Sequence, residues 1–448
     1  MRLTTNRPRD RKVRHTLLKA LRLRRESYRS LSEPSPEFGT CKAEGHDPGS
    51  LDGIRICVIY DCLFPWTIGG AERWYRELAE AFVKVGADVT YLTCRQWVEE
   101  PTIVGVRVIA VAPPQRLYQE DGKRRNVPPL RFGAGVFVWL ARHRRDIDAV
   151  HVANFPYFSL LAARLSLAGT RTPIHVDWHE VWPMAFWRQY AGCLAGRMGF
   201  LIQEICIAAS NHSFVFWDYT AIRLRARQYA RHVTVLPGLL PSVIIKNPLT
   251  TASETIVTDL GEPFVLFAGR HIKDKGVRDL PGALASARQE CANLRLVLVG
   301  EGPETPLLKE RFREFGLAEV VDFTGKVTEA ELLNLMAGAT CLVVASVREG
   351  YGMALVEAAS GGTPSVVAGH PENASTGHII EAVNGFVVEP TSEGLASGIK
   401  RVLQAGQLLR NTTKSWYDSR APSMRITAST DAVIAIYAAE LTATRDSR

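Results

Sequence analysis

The sequence predicts an α/β protein made of two Rossmann-like parallel-sheet domains facing a central cleft, and three observations lead there. The chain has 448 residues, too many for one ordinary core, and a domain size of roughly 100–200 residues asks for two domains with additions. From Ile54 onward, apolar runs of strand length alternate with stretches of helical periodicity, and that alternation builds parallel sheets through right-handed crossovers. The pattern breaks once, near "VTVLPGLLPSVIIKNPL", where Pro237, Gly238, Pro241 and Pro248 interrupt it before it resumes. The expected divisions are a basic extension and linker at 1–50, a first domain at 51–240, a second at 241–410, and a C-terminal helix at 411–448 that packs back on the first domain.

Taken in order, "IRICVIY" reads as a buried strand and "GGAERWYRELAEAFVKVG" as a helix closed by Gly86. The strands "ADVTYLT" and "VGVRVIAV" follow, then the helix "FVWLARHRR", the strand "DAVHVAN", the helix "SLLAARLSLAG" and the strand "PIHVDWHEV", which runs into a loop. In the second half "PFVLFAG", "LRLVLVG", "VVDFTG", "TCLVVAS" and "PSVVAG" are the strands.

Composition narrows the function classes. With 46% hydrophobic and 22% charged residues the chain is expected to be soluble and folded. The formal charge is +8, yet residues 1–30 hold 11 basic against 2 acidic residues, so the body is close to neutral and no nucleic-acid partner is expected. In that arm Val13, Leu17, Leu18 and Leu21 recur at helical spacing among the cations. This fits either a basic amphipathic helix on an anionic membrane surface or a disordered basic tail. The eight cysteines include no C-x-x-C and sit mostly in apolar runs, as reduced, buried residues do. The longest membrane-like run, "FGAGVFVWLA", is too short to span a bilayer, and no apolar segment of a secretory signal follows the N-terminal arginines. A cytoplasmic protein is expected, peripheral on the inner membrane face if the arm binds there.

Ligands of parallel sheets bind beyond the carboxyl ends of the strands. After "VLFAG" stand Arg270 and Lys275, the latter just before Gly276 and an expected helix. Two cations and a helix N-terminus suit a phosphate or diphosphate, although a solvated charged loop would look alike. After "TCLVVAS", Gly350 and Gly352 permit close approach of a ligand to a helix expected from Tyr351. Glu349 and Glu357 would then lie roughly 12 Å apart along the axis, fitted to hydrogen-bond the hydroxyls at two ends of one elongated ligand. Gly69 and Gly70 offer a similar approach in the first half, without a G-x-G-x-x-G. "HVDWHEVWP" brings His175, Asp177, His179 and Glu180 to a strand end. That set lacks the helical spacing of a zinc motif, so a polar, substrate-facing loop is expected and no metal.

Five motifs in order, "GGAERW", "FAGRHIKDKG", "LVLVGEGPE", "FTGKV" and "EGYGMALVEAASGGTPSVV" followed by "NGFVVEP", resemble the retaining glycosyltransferases of family 4, which have the GT-B fold, over about residues 54–405. The resemblance implies a second domain that holds a nucleotide-sugar donor and a first that mostly holds the acceptor. It implies that Arg270 and Lys275 clasp the diphosphate, that Glu357 accepts from the ribose, and that Glu349 contacts the donor sugar. It further implies amides of Met353 and Ala354 near the phosphates, Val327 against the base through its backbone, Gly70 approaching a phosphate, and His179 near the sugar. The expected reaction is a retaining, metal-independent transfer of a hexose to a hydroxyl of a glycan, lipid-linked or small-molecule acceptor, with no cofactor beyond the donor. Two other readings share these residues: a phosphorylase or epimerase on the same fold, and a non-catalytic nucleotide-sugar-binding scaffold. The aromatic residues Trp178, Trp182, Phe186, Trp187 and Tyr190 suit either an acceptor surface or the core.

Overall fold

Among the described residues, seven parallel strands form the first sheet and six the second. The structure, a computed structural model, describes residues 50–116, 125, 127–241 and 262–445. The basic arm, Cys41 and most of the border segment fall outside the described residues, and with them the membrane-helix and linker expectations.

The first sheet contains β1 (Arg55–Ile59), β2 (Asp88–Cys94), β3 (Val106–Ala112), β4 (Ala149–Ala153), β5 (Ile174–Trp178), β6 (His212–Val215) and β7 (His232–Val235), in the order β3-β2-β1-β4-β5-β6-β7. The central strands β1, β4 and β5 have helices on both faces, which is why they read as near-continuous apolar runs. The connecting helices are α1 (Gly70–Lys84), α2 (Val127–His143), α3 (Tyr157–Ser166), α4 (Met184–Ala191), α5 (Cys193–Ala209) and α6 (Asp218–Arg225). Helix α2 begins ten residues before "FVWLARHRR", because Pro128 and Pro129 stand in its first turn, where a missing N–H costs nothing.

The second sheet, ordered β10-β9-β8-β11-β13-β15, contains β8 (Phe264–Ala268), β9 (Arg295–Val299), β10 (Val321–Gly325), β11 (Cys341–Val344), β13 (Ser365–Ala368) and β15 (Gly385–Val388). The short strands β12 (Arg348–Glu349) and β14 (Glu372–Asn373) pair separately. Its helices are α7 (Leu280–Ala287), α8 (Thr305–Glu314), α9 (Glu329–Gly338), α10 (Met353–Ser360) and α11 (Ser392–Met424). Helix α11 breaks at Gly406 and spans the division expected at residue 410; α12 (Ile426–Arg445) follows it and packs on α1 of the first domain.

Among the described residues, three apolar cores result. One joins α1, α12 and the facing parts of both domains, the second lies under α2, α3 and α5, and the third fills the far side of the second sheet. No helix among the described residues is long and apolar enough to cross a membrane.

Candidate functional site

Both sheets present the carboxyl ends of their strands to the same cleft, and the site is best built from the second-domain side. Beyond β8 the chain passes through the exposed Arg270 and continues through two 3₁₀ turns, Lys273–Lys275 and Val277–Asp279. The helix expected at Gly276 starts only at Leu280. Gly276 separates the turns in a left-handed conformation (φ 65°), and a Cβ there would collide with the Ala345 carbonyl oxygen. That close approach lays the Lys275 turn against the end of β11. The Lys275 ammonium donates to Glu349 Oε1, and the Ser346 hydroxyl donates to the same oxygen at 2.8 Å.

Glu349 belongs to β12, not to the helix it was expected to precede directly. Helix α10 begins at Met353 behind Gly352 (φ 95°), where a Cβ would collide with Ser375 Oγ. The two carboxylates therefore sit on separate elements, and the 12 Å axial spacing does not apply. Met353 and Ala354 are half-buried in the first turn, and Glu357 lies one turn further in. Burial pushes the Glu357 carboxyl up to about 6, against the opposing pull of Arg73.

Across the cleft, Gly70 opens α1 so close to the second domain that a Cβ would meet Met353 Sδ at 2.5 Å. Two helix N-termini, with their unsatisfied amides, thus come together. One turn along α1, the Arg73 guanidinium makes a bidentate pair with Glu329 of α9 at 2.8 and 3.1 Å. Val327, half-buried just before α9, packs on the same core as Met353. Thr328 caps α9: it accepts from the Glu331 amide, and the Glu331 carboxylate accepts from the Thr328 amide.

His179 follows β5. Its ring lies flat against Phe216 (5.5 Å, 8°) and edge-on to Tyr75, while its carbonyl faces Gly350. Burial keeps the imidazole below its ordinary pKa, and Nε2 is buried without a hydrogen-bond partner. Its strand neighbours turn inward. Asp177 Oδ2 accepts from Trp74 Nε1 at 2.6 Å and lies 2.9 Å from His151 Nε2, whose other nitrogen meets the Tyr437 hydroxyl at 2.9 Å. His175 and His212 both contact Glu440, at 2.8 and 3.0 Å. The loop residues of "HVDWHEVWP" therefore divide: His175 and Asp177 anchor α1 and α12, and only His179 and Glu180 turn toward the cleft.

Sequence reasoning missed the polar bridges between the domains. Arg348 spans Glu180 (3.1 Å) and Asp274 (3.3 Å) while lying over the Trp182 ring, and Arg223 grips Glu372 at 2.6 and 2.5 Å. Arg73, which bridges to Glu329 in the same way, carried a local signal, standing one helical turn beyond Gly70 in "GGAERW". The aromatic set splits as well: Trp178 and Trp187 are core, whereas the half-buried Trp182 and Phe186 lie under Arg348 and the half-buried Tyr190 packs on Trp182.

Residues 250–418 match the family of glycosyl transferases group 1, and residues 69–238 match the glycosyl transferase 4-like domain. The chain belongs to the group 1 glycosyltransferase family. Among its relatives in that family, glycogen synthase of Mycobacterium tuberculosis (strain H37Rv) is 30% identical over 175 residues, 37% of this chain and 41% of that protein. The chain thus spans about two fifths of that relative's length. One subunit of the human phosphatidylinositol N-acetylglucosaminyltransferase is 27% identical over 87% of this chain and 77% of its own length. The alpha-monoglucosyldiacylglycerol synthase of Streptococcus pneumoniae (strain R6) is 29% identical over a quarter of each chain. Sucrose-phosphate synthase from Thermosynechococcus elongatus superposes with a TM-score of 0.67 at 18% identity, covering 88% of this chain and 99% of that one. HepE of Anabaena in complex with UDP-glucose superposes at 0.61, with 16% identity over 87% and 100%. These likenesses establish the GT-B fold.

Proposed function

We propose that this chain is a retaining, metal-independent hexosyltransferase that moves a sugar from a nucleotide-diphosphate sugar to a hydroxyl of a glycan, lipid or small-molecule acceptor. The observation that carries the reading is the Lys275–Glu349 pair set between two strand ends beside the meeting N-termini of α1 and α10. An ammonium has three donors. While one stays on Glu349, the others reach a diphosphate, with Arg270 and the amides of Met353 and Ala354 as further donors. Glu349, already oriented by Ser346, offers its remaining lone pairs to hydroxyls of the sugar. Glu357 accepts from the ribose, Val327 meets the base through its backbone, Gly70 lets α1 approach a phosphate, and the unpartnered Nε2 of His179 serves the sugar side.

In the reaction the bond from C1 to the diphosphate oxygen breaks, and the acceptor oxygen bonds C1 on the same face. The acceptor proton passes to the departing diphosphate, whose added charge Lys275, Arg270 and the helix amides stabilise. HepE's complex with UDP-glucose supports a nucleotide-sugar donor. Two relatives named for phosphatidylinositol and diacylglycerol support a lipid-type acceptor. The basic segment 1–30 would hold the protein on the cytoplasmic membrane face. The test is proton NMR of the product formed from an α-configured nucleotide sugar. An α-linked product is expected, and a β-linked one overturns the retaining step. Consumption of donor without acceptor, or only with added phosphate, would move the assignment to an epimerase or a phosphorylase.

A further inference from the structure

The layer formed by α2, α3 and α5 buries its inner side against the first sheet, so its outer side ought to be polar. It is not. On α5, Leu194, Met198, Leu201 and Ile205 follow one another at spacings of four, three and four residues, the repeat of a single helical stripe, and are 48–76% exposed. On α2, Leu130, Phe137 and Val138 are 42–50% exposed, and α3 adds Leu165 at 67%. Scattered exposed apolar residues need no explanation, but stripes on neighbouring helices of one layer make a patch.

Charge identifies the occupant. Helices α2 to α5 carry five arginines, Arg131, Arg142, Arg164, Arg188 and Arg197, all exposed. Their one carboxylate, Glu204, is already held by Arg227 and Tyr229. The body as a whole is close to neutral, so this cationic face is a local concentration rather than a share of a general excess. A second copy of the chain would set arginine against arginine. An anionic bilayer neutralises them while its acyl boundary takes the apolar stripe.

We propose that the outer face of α2, α3 and α5 docks on an anionic membrane surface, with Met198 and Leu201 entering the headgroup–acyl boundary and the arginines meeting lipid phosphates. This contact belongs to the folded body and is distinct from residues 1–30. It places the membrane one helix from the aromatic segment 182–190, since Trp187 of α4 packs against Gly199 of α5. The inference does not depend on the donor chemistry, because its readout is lipid binding.

The test is co-sedimentation of the full chain with phosphatidylcholine vesicles with and without phosphatidylglycerol. Met198→Glu/Leu201→Glu and Arg131→Glu/Arg197→Glu are compared with the native chain, all four positions being exposed. Each variant is expected to lower partitioning onto the anionic vesicles at least about tenfold, with salt weakening the native interaction. Unchanged partitioning of both variants overturns the proposal and leaves the arm as the sole contact. So does a native dimer that the first variant splits without affecting vesicle binding. Should a variant fail to fold, a photoactivatable anionic lipid mixed with the native chain decides. Cross-links in residues 130–142 and 194–205 support the face, and cross-links confined to residues 1–30 contradict it.

Discussion

The two rims of the cleft are held by different kinds of contact. On the second-domain rim, several of the determining features are local: the left-handed Gly352, the Thr328 capping box, and a Glu349 that accepts from Ser346 three residues away, with Lys275 joining it from within the same domain. On the first-domain rim, Asp177 is fixed by Trp74, 103 residues earlier, and His151 by Tyr437, 286 residues later. A rim built from local chemistry can be reshaped one residue at a time. A rim held from the far end of the chain fails as a unit.

This contrast can be tested by breaking each rim in turn. Lys275→Ala should lower kcat/KM by about 10²–10³-fold, the scale of one lost donor to a developing oxyanion, with the melting temperature nearly unchanged. Asp177→Asn leaves His151, Trp74 and Tyr437 around an uncharged amide and should cost about 3 kcal/mol in urea unfolding, the usual scale of a broken buried pair. If Asp177→Asn costs activity but no stability, the network belongs to the chemistry and the contrast fails.

Glu357 gives a pH signature. Burial raises its carboxyl from the usual 4.5 to about 6, so the folded state binds a proton more tightly than the unfolded one. Stability from this group is present at low pH and is lost as pH rises through that window. Glu357→Gln should therefore add about 1 kcal/mol at pH 8, discounted for partial solvent access, and nothing at pH 4. Thermal melts at the two pH values check this. The smallest effect is expected at the cap: Thr328→Ala should cost about 1 kcal/mol of stability, read from chemical denaturation, without changing nucleotide affinity beyond the Val327 turn it supports.

The same division explains what was legible in the sequence. Strand–helix alternation, the glycines at strand ends and the placement of Glu349 just after a strand are written in short stretches, and the two-sheet architecture followed from them. Helices α4 and α5 went unread because α5 is apolar on both its buried and its exposed sides and so shows little periodicity. The start of α2 was hidden by prolines that usually break helices. His175 and Asp177 looked like cleft residues because alternation along β5 gives their face, but not the helix that covers it; Tyr437 and Glu440 of α12 supply that cover from the far end of the chain.

The central claim is that Lys275 and Glu349 form the diphosphate and sugar grip of a nucleotide-sugar site. The most direct measurement is a thermal-shift series of the full chain with UDP, GDP and ADP and their sugars, repeated with Arg270→Ala and Lys275→Ala. A ligand at about 100 times its Kd should stabilise the native chain by about 2.7 kcal/mol. The expected result is a shift from one nucleotide class that both substitutions abolish. A full shift that survives Lys275→Ala would contradict the claim.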